Sequence, residues 1–419
     1  MAFQQGLSGL NAASKSLEVI GNNVSNAGTV GFKQAQAQFA DVYANSLAGG
    51  GGSQVGIGTK LVRVAQQFTQ GNISGTNNPL DIAINGKGFF RMNNAGDITY
   101  SRNGQFILNK DGFIENASGA LLTGYPVGPN GVVSAGAPIP LEINAADLSP
   151  TPTGTYDLVL NLDSRVTAIP VATAFDPNNP GTYHKSVPVP VYDSLGNSHL
   201  LQTYYVNRGP VPGPGNSWDV YGQVTLSDGT TQMLGGAAVP PYATIGTLAF
   251  SNAGVMTPAA PLVVNFTPPG AAAMAINVSH ASTTQFGSAM SVNSQAQNGY
   301  TSGSLTGFSV AADGKFIGRY SNGKANVLGQ LALVNFANPN GLQAMGDNAF
   351  TETSLSGVPL IGTPGSSGMG AVQSSAVEES NVDLTEELVN MITAQRIYQA
   401  NAQTIKTEDQ IMQTLVNLR

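Results

Sequence analysis

Any chemistry in this chain would have to come from a short list of side chains. Histidine occurs at His184, His199 and His280, far apart and none with a second imidazole or carboxylate at ligand spacing, so no metal site is expected. Glycosidase-type hydrolysis needs two converging carboxylates. The acids of the β-rich middle, Asp157, Asp163, Asp193 and Asp219, read instead as strand and turn residues, because Gly229 to Ala312 supplies no Asp, Glu, Lys or Arg in 84 residues. Gly49 to Gly58 lacks the Gly-Lys-Ser/Thr ending of a phosphate loop, and Gly86-Lys-Gly88 runs into Phe89-Phe90 rather than a helix start, so no nucleotide cradle is expected. The absence of cysteine removes disulfides, thiolate zinc sites, iron–sulfur clusters and Cys nucleophiles together. The chain reads as a non-enzyme with no catalytic residue, cofactor or metal.

Composition narrows the partners. Only 10% of the 419 residues are charged, against about 25% in an average soluble domain. A net charge of −7 with 17 basic residues and no basic patch excludes a nucleic-acid partner, whose binding rests on clustered Lys and Arg. The first residues lack the positive start and apolar core of a cleaved signal peptide, and no run approaches the roughly 20 apolar residues of a membrane span, so membrane insertion is not expected.

The elements follow from punctuation and period. Nine Asn-Gly or Asp-Gly pairs, beginning at Asn85, Asn103, Asp111, Asn130, Asp228, Asn298, Asp313, Asn322 and Asn340, signal hairpins among runs such as Asp157–Leu162 and Trp218–Leu226. Pro and Gly clusters at Ser149–Gly154 and Pro268–Gly270 bracket an inserted domain. The fold class is therefore mainly β: two β domains, one inserted in the other, with long coiled-coil-like helices at the N- and C-termini. The expected division is 1–50 and 371–419 for a terminal helical domain, 51–145 and 285–370 for an inner β domain, and 146–284 for an outer one.

Both ends carry helical stripes. Phe3, Leu10, Leu17 and Val24 recur every seven residues with Leu7 between them. Gly28 reads as the helix stop, and Phe39, Val42, Tyr43 and Leu47 suggest a second helix ending at a Gly49–Gly52 hinge. Glu378 to Arg419 holds no Gly or Pro and reads as helix, with Val377, Leu384, Met391, Tyr398, Ile405 and Met412 in one register beside Leu388. Asp383 and Glu386 have the spacing of a capping box. Two such helices cannot close a core alone and need further copies.

The run Gly21-Asn-Asn-Val-Ser-Asn-Ala-Gly-Thr-Val-Gly-Phe-Lys33 resembles the signature of the bacterial flagellar rod and hook axial proteins. Ser380-Asn-Val-Asp-Leu384, Met391–Arg396, Tyr398-Gln-Ala-Asn401 and the close Leu415–Arg419 resemble the matching end signature; Asn78–Ile82 and Tyr100-Ser-Arg-Asn-Gly104 are hook-like. About Asn144 to Gln285 carries no resemblance. The resemblance implies a self-assembling subunit of a curved tube that transmits torque from rod to filament, with a distal rod or hook–filament junction subunit as the alternative and a secreted all-β hydrolase or adhesin as the remote one. It further implies copies of the chain itself, rod and junction proteins, the hook cap and the flagellar type III export apparatus as partners. The place is the extracellular hook, reached without a cleaved signal. Phe3, Leu7, Leu10, Leu17 and Val24 are then expected to face Leu384, Leu388, Met391, Tyr398, Ile405 and Met412 of the same or a neighbouring copy. Asn22, Asn23 and Asn26 would serve hydrogen bonding at the helix end, and Gly31, Phe32 and Lys33 would aim the chain outward.

Overall fold

The computed structural model describes residues 2–42, 56–128, 131–134, 136–144, 146–210, 215–236, 240–257, 260–366 and 368–417. The chain divides into two compact units, one of Met1–Ala145, Gly307–Arg319 and Ala325–Arg419, the other of Ala146–Thr306 and Tyr320–Lys324.

In the second unit two five-stranded sheets share one core. One sheet is built on Thr155–Asp163 and the other on the long antiparallel pair Ser198–Pro210 and Asn216–Thr225. Period-two burial drives their closure: Val187, Val189 and Val191 point inward, as do Leu262, Val264 and Phe266 and then Met274, Ile276 and Val278, all around the buried Trp218. At about 1.5–3 kcal/mol per buried large apolar side chain, this core needs no ion pairs, which accounts for a strand-rich stretch without charges. Thr284–Phe286 and Ser291–Gln297 both pair with Thr155–Asp163. This unit therefore reaches Thr306, beyond the boundary expected at 284.

The first unit is centred on a sheet containing Phe89–Asn94, Asp97–Ser101 and Leu121–Pro126, sealed by edge-to-face contacts among Phe68, Phe89, Phe336 and Phe350. Four Asn-Gly or Asp-Gly pairs close hairpins, at Asp111, Asp228, Asp313 and Asn322, each with its glycine at positive φ. Asn85 instead ends a strand, Asn103 and Asn298 follow strand ends, Asn340 sits in a 3-10 turn, and Asn130 lies outside the described residues.

The ends differ from expectation in three ways. Helix α1 (Ala2–Ser25) stops before Gly28, and it is Gly31 that takes positive φ. Phe39 and Val42 belong to no second helix but to strand Ala35–Val42, antiparallel to Gly58–Gln66; Tyr43, Leu47 and the Gly49–Gly52 hinge lie outside the described residues. The alternation Ala35-Gln-Ala-Gln38 and the β-branched Thr59, Val62 and Val64 of the partner strand favour the ladder over a helix there. Helix α2 runs Leu384–Asn417, about 50 Å at 1.5 Å per residue, capped by Asp383 Oδ1 accepting from the N–H groups of Thr385 and Glu386. Val377 and Glu378 precede it in a strand, Ala376–Glu378, paired with Ile73–Gly75.

In the second unit His280 is buried, with Nε2 2.8 Å from the Tyr205 hydroxyl, and burial pushes its pKa down to about 4. The unfolded chain takes up this proton near pH 6.5 and the folded chain only near pH 4, so stability falls as pH drops through that window, by about 3 kcal/mol in full. Calorimetry from pH 7 to 4 should show the acid loss for the second unit, and His280→Gln should flatten it; parallel curves for both proteins would refute the assignment.

Candidate functional site at the junction of the two termini

The motif Gly31-Phe32-Lys33 follows α1 with a bend at Gly31. The Lys33 side chain is fully buried, its Nζ 2.6 Å from Glu378 Oε1 and 2.7 Å from the Thr69 carbonyl to which it donates. Arg102 donates from Nη1 to Glu378 Oε2 at 3.1 Å and from Nη2 to the Gly86 carbonyl at 2.9 Å. Gly71 N–H donates to Glu378 Oε1, and Gly31 N–H to the Glu378 carbonyl. Two cations thus share one carboxylate away from water. Burial pushes the pKa of both Lys33 and Arg102 down, while Glu378 pulls each back up. The two backbone carbonyls supply further negative potential that the single carboxylate does not.

The neighbouring residues lock the approach. A Cβ on Gly31, at φ +72°, would lie 2.5 Å from Asn103 N, so the bend fits only glycine. Asn23 clasps Ala35 with both ends of its amide, donating to the carbonyl at 2.8 Å and accepting from the N–H at 2.9 Å. Asn26 donates to the Asn22 carbonyl and accepts from Thr29, closing the turn after α1; Asn22 contributes that backbone oxygen. Phe32 is half-buried beside this turn. Asn381 accepts from Gln34 N–H and donates to the Gln67 carbonyl, and Glu387 accepts from Asn23 and Gln34. Of Gly31, Phe32 and Lys33, the first makes the bend and the last carries a buried cation. Strands Ala371–Ser374 and Ala376–Glu378 tie the segment before α2 to Ile82–Asn85 and Ile73–Gly75 in two antiparallel pairs.

The helices pair along a different line from the predicted stripes. They run antiparallel, with Gly6 beside Ile405, Gly9 beside Asn401 and Asn23 beside Glu387. A Cβ on Gly9 would meet the Asn401 amide at 2.6 Å, so the close approach depends on small residues. The buried positions Gly6, Ala13 and Ile20 lie three residues from Phe3, Leu10 and Leu17, about 60° round the helix, and Glu387 and Ala394 bear the same relation to Leu384 and Met391. Phe3, Leu7, Leu384, Leu388, Tyr398 and Met412 are exposed, and Leu10, Leu17, Val24, Met391 and Ile405 are half-buried. Of the predicted stripes, Ile405 lies against α1 at Gly6, while the rest flanks the seam.

The four acids considered for hydrolysis are dispersed. Asp163 is held by Arg165, Asp219 by Arg208, and Asp157 is exposed. Asp193 accepts from Asn197 and meets His199 at 3.2 Å; because Ser227 N–H donates to His199 Nδ1, the other ring nitrogen carries the proton toward Asp193. That pair pins a turn and was missed in sequence. Arg102 and Asn381 lie inside the quoted motifs but, like Glu378 and Glu387, were given no role there, because neither Tyr-Ser-Arg-Asn-Gly nor the pair Glu378-Glu379 reveals a buried partner.

Family comparison places these residues. The model for the flagella basal body rod protein matches 3–33, that for the flagellar hook protein FlgE/F/G D1 domain 83–156, the flagellar basal body protein FlaE D2 domain 161–300, and the flagellar basal body rod FlgEFG protein C-terminal 373–418. The flagellar hook protein FlgE of Salmonella typhimurium is 41% identical over 424 residues, covering 100% of both chains. The chain belongs to the flagellar hook protein family. Those of Escherichia coli and Borreliella burgdorferi are 40% and 31% identical, each covering 100% of this chain, and 100% and 99% of their own. The crystal structure of Helicobacter pylori flagellar hook protein FlgE2 shares the fold at TM-score 0.52 and 14% identity, covering 73% of this chain and 100% of that one. The region expected to be unmatched, Asn144 to Gln285, thus falls largely within the matched domains. Lys33, Arg102 and Glu378 each come from a different one of them, so the triad joins separately matched parts of a hook-family chain.

Removing Glu378 should leave two buried cations unopposed, whereas removing Lys33 leaves a balanced Arg102–Glu378 pair. Glu378→Gln should therefore cost about 3–5 kcal/mol in urea unfolding and Lys33→Met distinctly less. Equal losses would show that packing, not charge balance, dominates.

Proposed function

We propose that this chain is a structural subunit of the flagellar hook, a curved tube outside the cell that couples rod to filament and bends as it rotates. Full-length similarity to hook proteins supports the hook over a distal rod or junction subunit. The single observation that carries the assembly reading is the offset of the stripes: the α1–α2 seam is built mainly from glycine, alanine and polar residues with Ile20 and Ile405, and leaves Phe3, Leu7, Leu384, Leu388, Tyr398 and Met412 exposed. Apolar residues in register along helices of 24 and 34 residues are the raw material of coiled-coil-like contacts between copies. In this reading the unit of Ala146–Thr306 is an inserted outer β domain and the other unit an inner one bearing the helices. Rod and junction proteins, the hook cap and the export apparatus are its further partners.

Leu388→Asp and Met412→Asp change exposed positions, so each should leave monomer unfolding within about 0.5 kcal/mol while preventing tube growth. Electron microscopy and sedimentation read the tube; normal tubes from both variants would overturn the reading. Limited proteolysis should cut dilute monomer in α1 before Asn23 and in α2 beyond Glu387, and those cuts should disappear in polymer.

A further inference from the structure

Beside the junction, α1, α2 and the strand Ala35–Val42 enclose a cleft of about 510 Å³, lined mainly by amides, hydroxyls and two acids, Glu386 and Glu387. Glu387 is 3% exposed. Its Oε1 accepts from Asn23 and Gln34, but its Oε2, equally shielded, has no hydrogen-bond partner. A buried carboxylate oxygen left unmatched is costly, and Glu387 lines a cleft large enough to admit a side chain. The group that would satisfy it is a cation with several donors.

Of the described cations of α2, Arg396 fits by position. Arg396 is exposed, forms no ion pair among the described residues, and has Ile392, Thr393, Gln399 and Ala400 as helix neighbours, none of them acidic. It follows Glu387 by nine residues, which at about 100° each sets it half a turn round α2, on the side away from the cleft. Lys406 lies only about 100° from Glu387 and has Asp409 three residues on. A socket and a plug on opposite faces of one helix cannot satisfy each other within a chain. Between copies they make a heterologous contact, the kind that repeats into open helical polymers rather than closing as a dimer.

We infer that the Glu387 cleft receives Arg396 of a second copy of this chain, a specific register contact of the polymer. This rests on the reading of the chain as a polymerising hook subunit. Arg396→Gln, a substitution on an exposed face, should raise the concentration needed for tube growth about tenfold, and adding Glu387→Gln should raise it little further, since one interaction cannot be lost twice. Because the chain has no cysteine, Asn390→Cys and Arg396→Cys can be made in separate pools, mixed, polymerised and treated with a short bismaleimide. Covalent dimers should form between the pools in polymer and not in dilute monomer. Tubes that grow from Arg396→Gln at the wild-type concentration, or polymer without dimers, would overturn the contact while leaving the hook reading intact. Failure of the wild-type chain to form tubes would overturn both.

Discussion

Glu378 is the residue on which the architecture of both ends turns. A carboxylate can be fully buried only where its charge is met, and here it is met twice, by Lys33 from the segment after the first helix and by Arg102 from the central sheet. Because the arrangement carries one positive charge too many, it holds only with the Thr69 and Gly86 carbonyls turned toward the surplus. Everything that brings those groups together follows from this: the left-handed bend at Gly31, the Asn23 clasp on Ala35, and the pairing of the final strand with Ile73–Gly75. Such a cluster gains little over apolar packing in net free energy, but a misregistered version would leave charges stranded, which makes it a device for uniqueness.

The seam between the helices obeys a related economy. Small residues let α1 and α2 approach closely, so their contact uses little apolar area and leaves large side chains on the flanks. A helix pair satisfied by leucines would have been more stable alone and less able to join others. The second unit solves the opposite problem: its two sheets close on one shared apolar core around Trp218, and it stands without charges over a long stretch.

What could be read from the sequence was what is local. Hairpin turns at Asp111, Asp228, Asp313 and Asn322, the Asp383 cap and the helical period at each terminus are written in neighbouring residues, and all are found. Phe39 and Val42 misled because a short apolar run has no distinct period, and the partner strand that decides its conformation lies beyond a long connection. The true seam was hidden because glycine and alanine carry no hydrophobic signal, while the leucines beside them do. The triad was illegible for a further reason: Lys33 and Glu378 are 345 positions apart, and no local feature of either shows that it is buried or opposite the other.

That separation imposes an order in time. Lys33 belongs to the first tenth of the chain and its counter-charge to the last, with the whole sandwich of Ala146–Thr306 between them. Closing so long a loop is entropically the most expensive step available, and it yields its return only after the sheets at both ends of the loop exist. The sandwich has its own core and can form first. A chain appearing amino end first thus keeps Lys33 without its counter-charge until Glu378 has arrived, and a copy that stops short of Glu378 has no way to seat Lys33.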